Sequence, residues 1–184
     1  MNKINKIILL LILSLSITSC SCSKKKNLME NYPSLTDKKH IIVEITPQQL
    51  VEKISNKESF VVTLGFEECP WCQALMPEYN YVAKKEGFKE IYYCDIKDMR
   101  DNLESKDRIY YLGLYEYFND VVDQEKNRIN APTMIAVKDG KLSGFHIDTV
   151  SSHIINEQGI LPPLSEEQKN ELHKVIKDLL DKVK

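Results

Sequence analysis

The chain has 184 residues, 42% of them hydrophobic, with 25 Lys and Arg against 27 Asp and Glu and five cysteines. A formal charge of −2 gives no electrostatic footprint for nucleic acid, and none is expected as a partner. No internal repeat or low-complexity segment breaks the chain, and its length allows one ordinary domain once a leader is set aside.

The first residues, MNKINKIILLLILSLSITSC, carry two lysines, an apolar run and small residues before Cys20, the layout of a signal peptide over 1–19. The apolar run is shorter than the roughly 20 residues a membrane-spanning helix needs. The segment ITSC resembles the lipobox of bacterial lipoproteins, which implies cleavage before Cys20 and lipidation of its sulfur; the alternative is an ordinary secreted protein in which Cys20 is idle or removed. Cleavage there removes Lys3 and Lys6 and makes the mature chain about −4. Residues 20–39 are polar and aperiodic and read as a tether, with Lys24, Lys25 and Lys26 read as solvated rather than bound to headgroups.

Residues 40–184 then read as one domain. HIIVEI (40–45) is a strand, and TPQQLVEKISNK a helix capped by Thr46 with Pro47 in its first turn. SFVVTLGF (59–66) has the continuous apolar character of a buried parallel strand and runs straight into Cys69 and Cys72. The following helix contains Pro77 and ends at Gly87, and FKEIYYCDI is the next strand. The region 97–130 reads as mostly helical, with Leu114, Phe118, Val121 and Val122 at helical spacing. PTMIAV, an Asp139-Gly140 turn and KLSGFHI form an antiparallel hairpin. The last helix has a capping box of Ser165 and Gln168 and an apolar face of Leu172, Val175, Ile176, Leu179 and Val183. This order predicts an α/β fold: a central mixed β-sheet flanked by helices on both sides.

Three features, the CPWC motif after an apolar strand, Pro77 five residues past Cys72, and the Ala131-Pro132-Thr133 opening of a strand before a hairpin, resemble the thioredoxin superfamily from about Ile41 to Lys184. With the leading signal and the helical insert, the chain looks most like bacteriocin transport accessory proteins and similar extracytoplasmic thioredoxin-like proteins. The resemblance implies a thioredoxin-like fold with a helical insert before the cis-Pro strand. It also implies that Pro132 is a cis-proline facing the cysteines, and that the Ala131 backbone takes a substrate chain as a short strand.

Chemistry follows from position. A cysteine at a helix start faces backbone N–H groups that favour the thiolate, so Cys69 is the expected exposed nucleophile. Cys72, one turn below, is the resolving thiol of a redox-active disulfide. Pro70 and Trp71 set the donors facing Cys69, and Trp71 is read as an exposed platform for substrate rather than a half-buried anchor.

Two features depart from the resemblance. The superfamily places a buried Asp or Glu six residues before the first cysteine, to move the proton of the resolving thiol; here that residue is Thr63. Glu67 and Glu68 are candidates to replace it, although each reads more naturally as a solvated charge. The insert is also long and rich in tyrosine. Tyr110, Tyr111, Tyr115 and Tyr117 read as core covering rather than a partner surface. The stretch 148–164 is a lid or a strap. Cys94, in a strand, reads as a small buried hydrophobe, while Cys22 has no assigned role.

The sequence therefore leads to a membrane-anchored lipoprotein of the bacterial cell envelope that acts as an extracytoplasmic thiol-disulfide oxidoreductase on protein or peptide substrates. It needs no cofactor, and a membrane redox partner recycles the pair. The rival readings are a redox-inactive binding module for a secretion or transport system, and a metal site. The latter needs two ligands beyond Cys69 and Cys72, and His40, His146, His153, His173 and Cys94 form no second pair at ligand spacing.

Overall fold

Three continuous apolar segments form the centre of the sheet, because each must bury both of its faces. The computed structural model describes residues 28–184. The expected signal peptide, Cys20, the three lysines and Cys22 lie outside the described residues. Strands β1 (Ile42–Glu44), β2 (Phe60–Gly65), β3 (Ile91–Asp95), β6 (Thr133–Lys138) and β7 (Lys141–Ile147) form one sheet in the order β1-β3-β2-β6-β7. The β1–β3 and β2–β3 pairs are parallel, while β2–β6 and β6–β7 are antiparallel. This mixed sheet with helices on both faces is the expected thioredoxin-like fold.

Alternation along each central strand divides two cores. Val61 of β2, Ile91 and Tyr93 of β3, and Met134 and Ala136 of β6 face one side. There they pack under α1 (Leu28–Asn31), α3 (Pro70–Lys85) and α6 (Glu166–Asp181). Phe60, Val62, Leu64, Tyr92, Cys94, Ile135 and Val137 face the other side, under α2 (Pro47–Ser55), α4 (Lys97–Asp101) and α5 (Arg108–Tyr117). Cys94 is buried there among apolar neighbours, as its strand position implies.

The local signals hold where short-range chemistry decides. Thr46 and Ser165 each cap a helix in a reciprocal capping box, with Gln49 and Gln168. Pro77 lies inside α3, and Gly87 follows the helix with a φ of 83°. The β6–β7 turn has positive φ at Asp139 and Gly140, the geometry a two-residue hairpin requires. At Gly140 a side chain would also strike the Ile54 carbonyl, 2.4 Å from the position of a Cβ.

Two expectations need correction. Residues 28–39 are not tether: Leu28, Tyr32 and Leu35 are buried in the core beneath α3. Asp37 accepts from Asn80 and Lys84 of that helix, at 3.1 and 2.6 Å. The region 97–130 is mostly helical as expected, but the helical spacing does not extend to Val122. After α5 and a 3₁₀ turn at Asn119–Val121, a small antiparallel pair forms from β4 (Val122–Asp123) and β5 (Arg128–Ile129). Positive φ at Asn127 and the Asp123 carboxylate, which accepts from the Glu125 and Lys126 N–H groups, close its turn.

The tyrosines of the insert cover the core. Tyr111 is buried and its hydroxyl accepts from the Ile129 N–H at 2.9 Å. Tyr115 packs edge-on against it and donates to the Asn127 carbonyl. Tyr117 remains exposed.

Candidate active site: a dithiol at a helix start

Strand β2 delivers the chain to the sheet's carboxyl edge, and α3 begins there. Cys69 is the N-cap of α3, and its sulfur accepts from the Cys72 N–H at 3.3 Å. Pro70 occupies the first helical turn, where its missing N–H leaves no bond unmade. Both thiols are free. The register of β2 against β6 sets Leu64 opposite Thr133, which brings the Ala131–Pro132 loop beside the pair. The Ala131–Pro132 bond is cis, and Cys69 Sγ donates to the Ala131 carbonyl at 3.4 Å. Cys69, Cys72, Ala131 and Pro132 are thus brought together.

The two sulfurs differ in their surroundings. Cys69 is held below the usual thiol range, first by the hydrogen bond from the Cys72 thiol; burial opposes this, and the Cys72 and Trp71 N–H groups support it. Cys72 is pushed strongly upward, first by burial and then by its hydrogen bond to Cys69 and the charge there. Its Sγ lies against Gly65, where a Cβ would stand only 3.0 Å away. One thiolate is favoured and the other suppressed, the asymmetry a nucleophile and a resolving thiol need. The expected exposure of Cys69 is not observed: only 5% of its surface is accessible.

Trp71 is half-buried rather than an open platform. Its indole N–H donates to the His153 carbonyl at 3.1 Å and ties α3 to the stretch 148–164. That stretch is a strap knotted on His153, which is 2% exposed. The Pro162 carbonyl can only accept, so the 2.7 Å contact fixes the proton on Nε2. Nδ1 then accepts from the Thr149 hydroxyl at 2.8 Å. The strap begins at Asp148, whose N–H donates to the Pro132 carbonyl at 2.8 Å and whose φ is 63°.

No carboxylate lies at Thr63. Its hydroxyl and that of Tyr79, both buried, face one another without a well-formed hydrogen bond. Glu67 and Glu68 are exposed, and Glu68 pairs with Lys97. Sequence reasoning missed three groups behind the pair: Tyr32 and Tyr93, which share the buried cluster of Cys72, and Asp95, which Tyr93 reaches. The strand alternation carries a signal for Tyr93, the register partner of Thr63, and for Asp95, the partner of Gly65. Among the described residues no group of three or more His, Cys, Asp or Glu is arranged to hold a metal ion, and no helix is long and apolar enough to cross a membrane.

No protein-family model and no curated protein matches the chain. Among solved structures it is similar to mitochondrial thioredoxin 3 from Saccharomyces cerevisiae, at 16% identity over 80% of this chain and 98% of that chain, with a TM-score of 0.43. It is also similar to a poplar thioredoxin h, at 15% identity over 77% and 97% with a TM-score of 0.42. A thioredoxin from Trypanosoma brucei brucei matches at 12% identity over 79% and 96%, with a TM-score of 0.44.

Proposed function

We propose that this chain is an extracytoplasmic thiol-disulfide oxidoreductase that acts on protein or peptide substrates. The observation that carries the reading is the arrangement at the start of α3, with Cys69 as N-cap accepting from the Cys72 N–H, Cys72 fully buried one turn on, and the cis Ala131–Pro132 loop beside them. It favours the thiolate at Cys69 over that at Cys72.

In the reducing direction, Cys69 thiolate attacks one sulfur of a substrate disulfide and releases the other as a thiolate. Cys72 then attacks Cys69, forming the Cys69–Cys72 disulfide and freeing the second substrate thiolate while its own proton is given up. Loss of the Cys69 proton also releases the Ala131 carbonyl, which then accepts from the backbone of a docked substrate strand. Oxidation of a substrate dithiol reverses these steps. Pro132 shapes the loop, and Trp71 holds the strap at its rim.

The signal at 1–19 and the lipobox cysteine support anchorage to the cell envelope through Cys20, with a membrane redox partner recycling the pair. Palmitate labelling of the wild type but not of Cys20→Ala tests the anchor. The equilibrium reduction potential of the pair tests function and direction: about −270 mV marks a reductase and about −120 mV an oxidase. A pair that forms no intramolecular disulfide overturns the reading.

A further inference from the structure

Cys72 is wholly buried and its thiol is strongly disfavoured as a thiolate, yet in the reaction above it must lose a proton. Water does not reach it, and the residue at Thr63 has no basic group. Tyr93, the register partner of Thr63, and Tyr32, from the segment before β1, share its buried cluster. The same Gly65 Cβ position that is 3.0 Å from Cys72 Sγ is 3.6 Å from the Tyr93 ring. The Tyr32 hydroxyl donates to the Tyr93 hydroxyl at 2.9 Å, and Tyr93 makes a long 3.5 Å bond to Asp95 Oδ2. Asp95 is partly exposed and lines an open cleft of about 530 Å³ with Glu67, Glu68 and Asp98.

We propose that Tyr32 and Tyr93 form a buried hydroxyl relay that carries the Cys72 proton to the Asp95 carboxylate during the resolving step. The proposal rests on the oxidoreductase reading. In the resting dithiol Cys72 faces the Cys69 sulfur, to which its N–H donates at 3.3 Å. Once Cys69 is bonded to substrate its negative charge is gone, and the Tyr32–Tyr93 hydroxyl pair, on which the Cys72 charge acts within the same buried cluster, offers the thiol an acceptor. Each tyrosine takes one proton and gives one, so both stay neutral, as their burial requires. Cys72 sulfur bonds to Cys69 as the substrate thiolate leaves; Asp95 holds the proton and passes it to solvent.

The charged and titratable groups around this path are Cys69 at the start of α3, Asp148 at the head of the strap, Asp95 on β3, and the Lys97 ammonium and Cys94 thiol beside Asp95. Asp95 also accepts from the Lys97 N–H at 2.9 Å. Asp148 is the competing carboxylate. It acts on both sulfurs from the rim and partial burial raises it above the usual carboxylate range, but it is not joined to the Tyr32–Tyr93 pair, which leads to Asp95.

The test is stopped-flow reaction of the reduced full-length chain, carrying Cys20→Ala and Cys22→Ala, with 5,5′-dithiobis(2-nitrobenzoic acid). With Cys94 buried, one aryl thiolate is released when Cys69 attacks and a second when Cys72 resolves. Tyr32→Phe, Tyr93→Phe and the double variant remove hydroxyls alone. In each, the first release stays within twofold of wild type and the second slows at least about tenfold. The second release also gains a steep pH dependence, near tenfold per pH unit, because hydroxide must now take the proton. The double variant is no slower than either single, since the relay acts as a unit. A second release unchanged in both single variants overturns the relay, as does slowing of both releases together, or slowing by Asp148→Asn instead. A wild type that never gives the second release overturns the oxidoreductase reading itself, and the relay with it.

Discussion

At the scale of single residues, the site is governed by what surrounds the Cys69 sulfur, the Cys72 thiol first and then the Cys72 and Trp71 N–H groups. The Cys72 thiol stabilises the Cys69 thiolate, so the reactive cysteine depends on the geometry of the buried one. Iodoacetamide should therefore modify Cys69 at a pH below the ordinary thiol range and leave Cys72 untouched; mass mapping of the labelled peptide across a pH series checks both parts. Gly65 sets the position of Cys72. Its missing side chain leaves 3.0 Å between a Cβ position and Cys72 Sγ, so Gly65→Ala forces that sulfur to shift by a few tenths of an ångström. The expected result is a rise in the Cys69 pKa toward its ordinary value, read from the same alkylation series. An unchanged pKa would mean that the backbone N–H groups of Trp71 and Cys72, not the thiol, hold the thiolate.

At the scale of elements, the segment before β1 belongs to the domain and closes the core behind the dithiol. Ser34 donates to the Gln73 carbonyl at 2.6 Å, and Gln73 Nε2 reaches the Asn31 and Glu67 carbonyls, so α1 is fastened to the first turns of α3. Tyr32→Ala empties a fully buried aromatic site and should cost about 3–5 kcal/mol, measured by urea unfolding. Tyr32→Phe, which keeps the ring, should cost only about 1 kcal/mol. The contrast explains what the sequence reveals. The dithiol helix, both capping boxes and the Asp-Gly hairpin follow from contacts within a few residues, so they are readable directly. Leu28, Tyr32 and Leu35 stand singly among polar residues and find their partners far along the chain, in α3 and β3, so the segment reads as a tether. The β4–β5 pair is hidden for a related reason. Its strands are two residues each, too short for alternation to register, and Val121 and Val122 continue the helical spacing of the apolar residues before them.

At the scale of the whole molecule, two aspartates fasten peripheral segments to the region around the site, and both are tuned to remain charged. Asp37 is drawn down to about 2, first by its bond from Lys84 and then by the Lys39 N–H and Asn80, which joins the segment before β1 to α3. Asp123 is likewise drawn to about 2, first by Asn130, just ahead of Ala131, and then by the Lys126 N–H. A carboxyl whose folded pKa lies below its unfolded value stabilises the fold fully above the unfolded value, here 3.8. As the pH falls below that value the unfolded chain takes up protons first, and the contribution disappears toward pH 2. Both groups are solvated, so each contribution is modest and screened. Urea midpoints at pH 7, 4 and 2.5 should fall mainly in the last interval. Asp37→Asn and Asp123→Asn should each unfold earlier than wild type at pH 7, and the difference should narrow to roughly a third by pH 2.5, where the native carboxyl has lost most of its advantage. The two losses should add, because Asp37 and Asp123 share no partner. A difference between wild type and Asp37→Asn as large at pH 2.5 as at pH 7 would show that the side chain acts through its neutral hydrogen bonds rather than its charge.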